Sequence, residues 1–140
     1  MYALDVNILI YALTNHPEFG PASAKLLRSG SSRTLSASEL VAAELLGHNS
    51  VHSEEDEVQL REFINREFLR LIPLTRPILY EAARLRRLHR ITLADAIHVA
   101  SAIISGAEAF VTNDQALTKL PIPGIRLLSL SQAIEPVGRP

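Results

Sequence analysis

Apolar residues along the chain fall in short runs whose spacing switches between that of strands and that of helices. Tyr2 to Leu4 form a short apolar element, and Val6, Leu9, Ile10 and Leu13 then recur at helical spacing. The pattern predicts a strand that passes directly into a helix. "PASAKLLRSG" predicts a helix ended by Gly30, "RTLSAS" a second strand, and "ELVAAELLG" another helix. The polar, unpatterned "GHNSVHS" predicts a loop. "EEDEVQLREFINREF" follows, with Val58, Phe63 and Ile64 opposite a charged face, as an amphipathic helix whose acidic start suits the helix dipole. "LRLIPL" predicts a third strand, and "RPILYEAARLRRLH" a helix with Ile78, Leu79, Ala82 and Leu85 on one side. "TLADAIHVASAIISG" predicts a helix bounded by Thr92 and Gly106. "AFVT" and "IRLLS" predict two more strands, separated by the helical turn "NDQALTKL" and a Pro-rich connection.

Strands alternating with helices from end to end predict an α/β fold with a mostly parallel sheet covered on both faces. At 140 residues the chain is the size of one ordinary domain and would bury roughly 70% of its unfolded surface. Residues 1–134 are expected to form that single domain, with 135–140, "EPVGRP", as a loose tail.

Charge adds little globally. Fourteen Lys and Arg against fifteen Asp and Glu leave a net charge of −1, so any electrostatic partner must be read from local clusters. The absence of cysteine excludes disulfides and thiolate metal sites and fits a reducing cytoplasm. The first apolar run is cut by Asp5, far short of the ~20 residues a membrane span needs, and no basic segment precedes it. The expectation is a soluble, cytoplasmic protein with no membrane partner.

In open α/β sheets ligands gather outside the carboxyl ends of the strands. Asp5 closes the first predicted strand, Asp114 follows "AFVT", Asp95 lies in the first turn of its helix, and Glu44 sits inside "ELVAAELL". Each of the three aspartates also has a local explanation. Asp5 suits a helix cap, "Thr92-Leu-Ala-Asp95" has the form of a capping box, and Thr112, Asn113 or Asp114 suits a cap of the next helical turn. Glu44 lies among Leu40, Val41, Ala42, Ala43, Leu45 and Leu46, which predicts burial, and no Lys or Arg lies within one helical turn to pair with it. Carboxylates converging at a strand edge repel by about 4 kcal/mol per pair at 4 Å and an effective dielectric of 20. A divalent cation reverses that sign, and an all-oxygen carboxylate set suits Mg2+ or Mn2+. The residues alone therefore point to metal-dependent phosphoryl chemistry.

In these motifs the chain resembles the PIN domain, and within it the small ribonuclease toxins of VapBC toxin–antitoxin pairs. "LDVNILIYAL" is similar to the family's opening strand with its Asp-x-Asn, "SASELVAAELLG" to the helix bearing its acidic Glu, "TLADAIHVASAI" to its Asp-Ala helix, and "AFVTNDQAL" to its Thr-x-Asp segment. The resemblance spans residues 2 to about 130 in family order. It implies a three-layer α/β/α sandwich and a Mg2+- or Mn2+-dependent endoribonuclease that hydrolyses RNA with metal-activated water. Asp5, Glu44, Asp95 and Asp114 would be the catalytic and metal-site acids, with Asn7 and Thr112 supporting them by hydrogen bonds. Asn113 adjoins the site without an assigned role. The resemblance further implies a tRNA or rRNA substrate, a cognate antitoxin protein and a homodimer.

Several features have competing readings. Glu39, three residues after Ser36, suits a capping box, and Glu44 is preferred to it as the site acid because its surroundings are apolar. Arg84, Arg86, Arg87, His89 and Arg90 form the one dense basic cluster, directly before Asp95; they either contact RNA phosphates or form a solvated helix end. His48 and His52 have H-x3-H spacing but lie in an unpatterned loop. His98, one turn after Asp95, is a packed histidine or a donor behind the metal site. Leu26, Leu27, Phe63 and Phe68 make core contacts or a partner groove. Two other functions compete with the nuclease. One is a non-catalytic RNA- or protein-binding module. The other is a haloacid-dehalogenase-type phosphatase, which needs a second Asp where this chain has Asn7.

Overall fold

The computed structural model describes residues 1–31 and 33–135. Five strands and eight helices follow in the order β1 (Tyr2–Leu4), α1 (Val6–Leu13), α2 (Gly20–Ser29), β2 (Leu35–Ser38), α3 (Leu40–Leu46), α4 (Glu54–Ile64), β3 (Arg70–Ile72), α5 (Arg76–His89), α6 (Leu93–Ile104), β4 (Ala109–Val111), α7 (Gln115–Thr118), β5 (Arg126–Leu128) and α8 (Leu130–Ile134). The strands form one sheet in the order β3-β2-β1-β4-β5, and every neighbouring pair is parallel.

Alternation along the strands sorts the core into two. Leu4, Leu35, Ala37 and Val111 turn to one face, where they meet Ile8 and Leu9 of α1, Leu26 and Leu27 of α2, Val41 and Leu45 of α3, and Leu130 of α8. Their neighbours Ala3, Phe110 and Ile72 turn to the other face, against Ile78, Ala82 and Leu85 of α5 and Val99 and Ala100 of α6. The result is the expected three-layer α/β/α sandwich with a parallel sheet in the middle.

Element ends depart from the sequence pattern at α4 and α8, while α5 ends at His89 as expected. The acidic helix α4 stops at Ile64, because Asn65 turns its amide onto the Arg61 carbonyl at 2.9 Å and ends the helical run before Phe68. Arg90 follows α5 in the left-handed conformation, φ 54°, and sets the tight turn into α6. Residues 130–134, unassigned by periodicity, form α8, capped by Ser129 and Gln132 in a reciprocal capping box. Of the tail expected at 135–140, Glu135 closes α8 and residues 136–140 lie outside the described residues. Among the described residues no helix is long and apolar enough to cross a membrane.

Candidate functional site

Strand order reverses at β1, whose neighbours β2 and β4 lead away to opposite edges of the sheet. A crevice at the carboxyl ends of β1 and β4 is where such a sheet offers a site. Asp5 is the first residue past β1, and Thr112 the first past β4. Register pairing Leu4 with Val111 brings them side by side.

Asp5 is 5% exposed, and both its oxygens are engaged. Oδ1 accepts the Val6 backbone N–H at 2.7 Å and caps α1, while Oδ2 accepts the Thr112 hydroxyl at 2.7 Å. The cap expected of Asp5 is realised, and its second oxygen is held by Thr112 at the carboxyl end of β4. With its proton committed to Asp5, Thr112 Oγ1 accepts the Asp114 backbone N–H at 3.1 Å and the Asn7 amide at 3.5 Å. Asn7 therefore reaches Asp5 through Thr112 rather than directly, and its buried Oδ1 has no partner among the described residues.

Asp95 stands in the first turn of α6, half-buried, with its backbone N–H on the Thr92 hydroxyl at 3.1 Å. Asp114 is exposed at the start of α7 and accepts the N–H groups of Ala116 and Leu117 through Oδ1, at 2.9 and 3.3 Å, leaving Oδ2 outside the cap.

Glu44 differs from the sequence expectation. Its side chain is 27% exposed rather than enclosed, and it has a partner: His98 Nε2 lies 2.5 Å from Oε1. Helix α3 spans only Leu40–Leu46 and buries Val41 and Leu45, so its other side opens toward α6. His98 is the packed histidine of the two readings, and it also contacts Glu44. It is buried in the core under the site, three residues along α6 from Asp95, and it holds Glu44. A contact between residues 54 apart carries no local sequence signal.

Electrostatics tie these acids together. Burial pushes the Asp5 carboxyl above the ordinary aspartate value; the Thr112 bond and His98 oppose that rise, and the charge of Asp95 adds to it. Burial also raises Asp95, with the Thr92 bond opposing, and the charges of Asp114 and Glu44 raise it further. Asp5, Asp95, Asp114 and Glu44 therefore belong to one interacting set in which each negative charge is unfavourable for its neighbours.

Among the described residues no three Asp, Glu or His side chains already close around a single point. That excludes a preformed structural zinc-type cage. Mg2+ and Mn2+ make a different demand, since such ions keep several waters and take one or two carboxylates together with phosphate oxygens of a substrate. An all-oxygen set, the carboxyls of Asp5 and Asp95 raised by burial and further by neighbouring acids, and the unpartnered Asn7 Oδ1 fit a hydrated divalent ion of this kind.

Other candidates fall into place around this centre. Glu39 is exposed and makes no capping bond; Ser38 caps α3 instead, accepting the Leu40 N–H at 3.1 Å, while Ser36 is buried in β2. His48 turns Nδ1 to Ser50 Oγ at 2.8 Å within the loop before α4, and the His52 backbone N–H meets Asp56 in the first turn of α4 at 2.9 Å. Arg84 is held by Glu81 at 2.5 Å, and Arg86 donates to the Ile91 carbonyl at 3.2 Å. Arg87 and Arg90 make no side-chain ion pair among the described residues, and with Arg86 they line a shallow cavity of about 440 Å³ at the turn that leads to Asp95. Phe63 and Phe68 pack with ring centroids 5.2 Å apart, tilted at 47°, and, with Ala12, Ala24 and Leu27, line a second cavity of about 430 Å³. Asn113 donates to the Tyr11 hydroxyl at 3.4 Å. Tyr11 was not singled out by sequence, although it stands four residues after Asn7 on the same face of α1.

Comparison with known proteins agrees with the fold. Three solved structures are similar over nearly the whole chain. A toxin–antitoxin complex from Klebsiella pneumoniae shares 22% identity at TM-score 0.69, covering 89% of this chain and 95% of its own. VapBC2 from Rickettsia felis, bound to a DNA fragment from its promoter, shares 26% at TM-score 0.68, covering 91% and 97%. DNA-bound VapBC from Salmonella typhimurium shares 21% at TM-score 0.72, covering 92% and 97%. A search of curated proteins finds no match. The PIN domain profile matches residues 2–123, which is most of the chain and includes all four acids, so the protein belongs to the PIN domain family.

Proposed function

We propose that the chain is a Mg2+- or Mn2+-dependent endoribonuclease acting as the toxin of a toxin–antitoxin pair. The observation that carries this reading is the interacting set of Asp5, Asp95, Asp114 and Glu44 at the carboxyl edge of β1 and β4, in a chain of the PIN domain family. The similar solved structures are toxin–antitoxin complexes, which supports the toxin role.

Within this proposal Asp5, Asp95 and Asp114 hold the ion directly or through its waters. Thr112 fixes the rotamer of Asp5, and Asn7 fixes Thr112. His98 fixes Glu44 at the rim, where its partly exposed carboxylate takes or relays a proton. When bound, a divalent cation would supply positive charge for polarising a water and neutralising phosphate oxygens. Arg87 and Arg90 grip backbone phosphates beside the cleaved bond, with Arg86 at the edge and Arg84 held back by Glu81. The substrate is a cytoplasmic tRNA or rRNA. The Phe63–Phe68 cavity takes an apolar segment of the antitoxin, and the working form is a homodimer.

Purified protein, RNA and Mg2+ or Mn2+ should give cleavage that chelator stops and Asp5→Asn abolishes. Equal cleavage by Asp5→Asn would sink the proposal. An acyl phosphate trapped on the Asp5 carboxylate would instead favour the phosphatase.

A further inference from the structure

Aromatic residues are scarce in this chain, at 5% of the sequence, yet three rings crowd one corner beside the site. Tyr11 near the end of α1 and His16 and Phe19 in the turn before α2 stand with ring centroids 4.9 to 5.2 Å apart, and His16 is stacked on Phe19 at 26°. All three are partly exposed. The Asn113 amide on the Tyr11 hydroxyl, 3.4 Å, joins this corner to the segment that carries Thr112 and Asp114.

The turn that presents the rings is rigid. Asn15 is left-handed at φ 50°, the His16 N–H bonds the Tyr11 carbonyl at 3.0 Å, and the Gly20 N–H bonds the His16 carbonyl at 2.8 Å. A side chain at Gly20 would come within 3.0 Å of the Asn15 backbone, so the turn accepts only glycine without shifting. His16 Nδ1 accepts the N–H groups of Glu18 and Phe19 at 3.2 and 3.1 Å. Two donors on Nδ1 assign the neutral ring's proton to Nε2, which becomes a fixed hydrogen-bond donor at the edge of a stack.

We infer that Tyr11, His16 and Phe19 form a nucleobase-stacking subsite, which takes one unpaired base of the RNA next to the cleaved phosphate. Flat, partly exposed rings beside a phosphate-cleaving centre are the feature with which proteins hold splayed single-stranded bases, because every base has a π-face to offer. The His16 Nε2–H adds a preference for bases that present an acceptor at the matching edge. This subsite rests on the ribonuclease reading and deepens it, since it supplies contact with the base where the arginines supply contact with the backbone.

The test combines base deletion with side-chain change. A short single-stranded RNA cleaved at one bond is prepared intact and as a series with one abasic nucleotide at each position flanking that bond. Phe19→Leu keeps an apolar contact for the core, and His16→Asn keeps an acceptor for the turn's N–H groups; thermal melts check that both fold. At one position, base removal should lower kcat/KM of the unaltered protein about tenfold, the effect of a lost stack, and should cost either variant nearly nothing. If every abasic position costs the variants as much as the unaltered protein, the subsite is overturned. If no RNA is cleaved with Mg2+ or Mn2+, the ribonuclease reading itself fails, and the subsite is decided by binding of the intact and abasic strands in chelator. A base-dependent affinity lost in Phe19→Leu supports it, and an affinity indifferent to base and variant refutes it.

Discussion

Asp5 carries two roles in one side chain. Its Oδ1 caps α1, and its Oδ2 takes the Thr112 hydroxyl, so a residue that ends a strand and starts a helix is also the most firmly held acid of the site. That arrangement has a measurable cost in the metal-free protein. Burial raises Asp5 and Asp95 above the ordinary aspartate value of 3.8. A carboxyl whose pKa is raised on folding keeps its proton longer in the folded chain than in the unfolded one. Between the ordinary and the raised value the folded chain thus binds more protons, and stability falls as pH rises through that window. In chelator, melting followed from about pH 4 to about pH 8 should show this decline. Asp5→Asn, with an equally good cap residue, should flatten it and raise the melting temperature at neutral pH while abolishing cleavage. An unchanged pH profile in Asp5→Asn would contradict the assignment. Thr112→Val strands the buried Oδ2 and should cost about 1–3 kcal/mol in stability, read by urea unfolding. Asn7→Ala, which acts on Asp5 only through Thr112, should reduce both stability and cleavage less.

At the scale of elements, the fold was legible wherever a short apolar run met a turn residue or a cap. The strand-to-helix passages at Asp5 and Thr112, the helix closed at Gly30, and the pair α5 and α6 all follow from local pattern. Helix α8 carried a usable signal, the Ser129-x-x-Gln132 capping box, but five residues show too little periodicity to reveal it. The helix predicted through Phe68 ends at Ile64, and Phe68 packs on Phe63 from beyond the helix end. The positions of the four acids were legible because each lies at an element end or in a short helix. The His98–Glu44 contact and the Asn113–Tyr11 contact were not, since each depends on how separate elements pack. The basic cluster divides by its hydrogen bonds. Arg87→Ala and Arg90→Ala should each weaken RNA binding and lower its salt dependence by about one charge, whereas Arg84→Ala, already engaged by Glu81, should change both little; anisotropy titrations across salt concentrations measure this. In the α5 layer, Leu85→Ala should cost about 2–5 kcal/mol, because Leu85 is fully buried against the sheet.

Across the whole molecule, a parallel sheet with the order β3-β2-β1-β4-β5 brings Asp5 from the end of β1, Glu44 of α3, Asp95 of α6 and Asp114 of the β4–α7 connection toward one edge, where burial, and then the charges of neighbouring acids, raise Asp5 and Asp95. The account's central claim is that this set is one divalent-cation site. Mn2+ titrated into the metal-free protein at neutral pH, with bound ion followed by electron paramagnetic resonance, tests it most directly. The account predicts saturable binding that is lost in Asp5→Asn and in Asp95→Asn and weakened in Asp114→Asn. Mn2+ binding equal in all four proteins would contradict it.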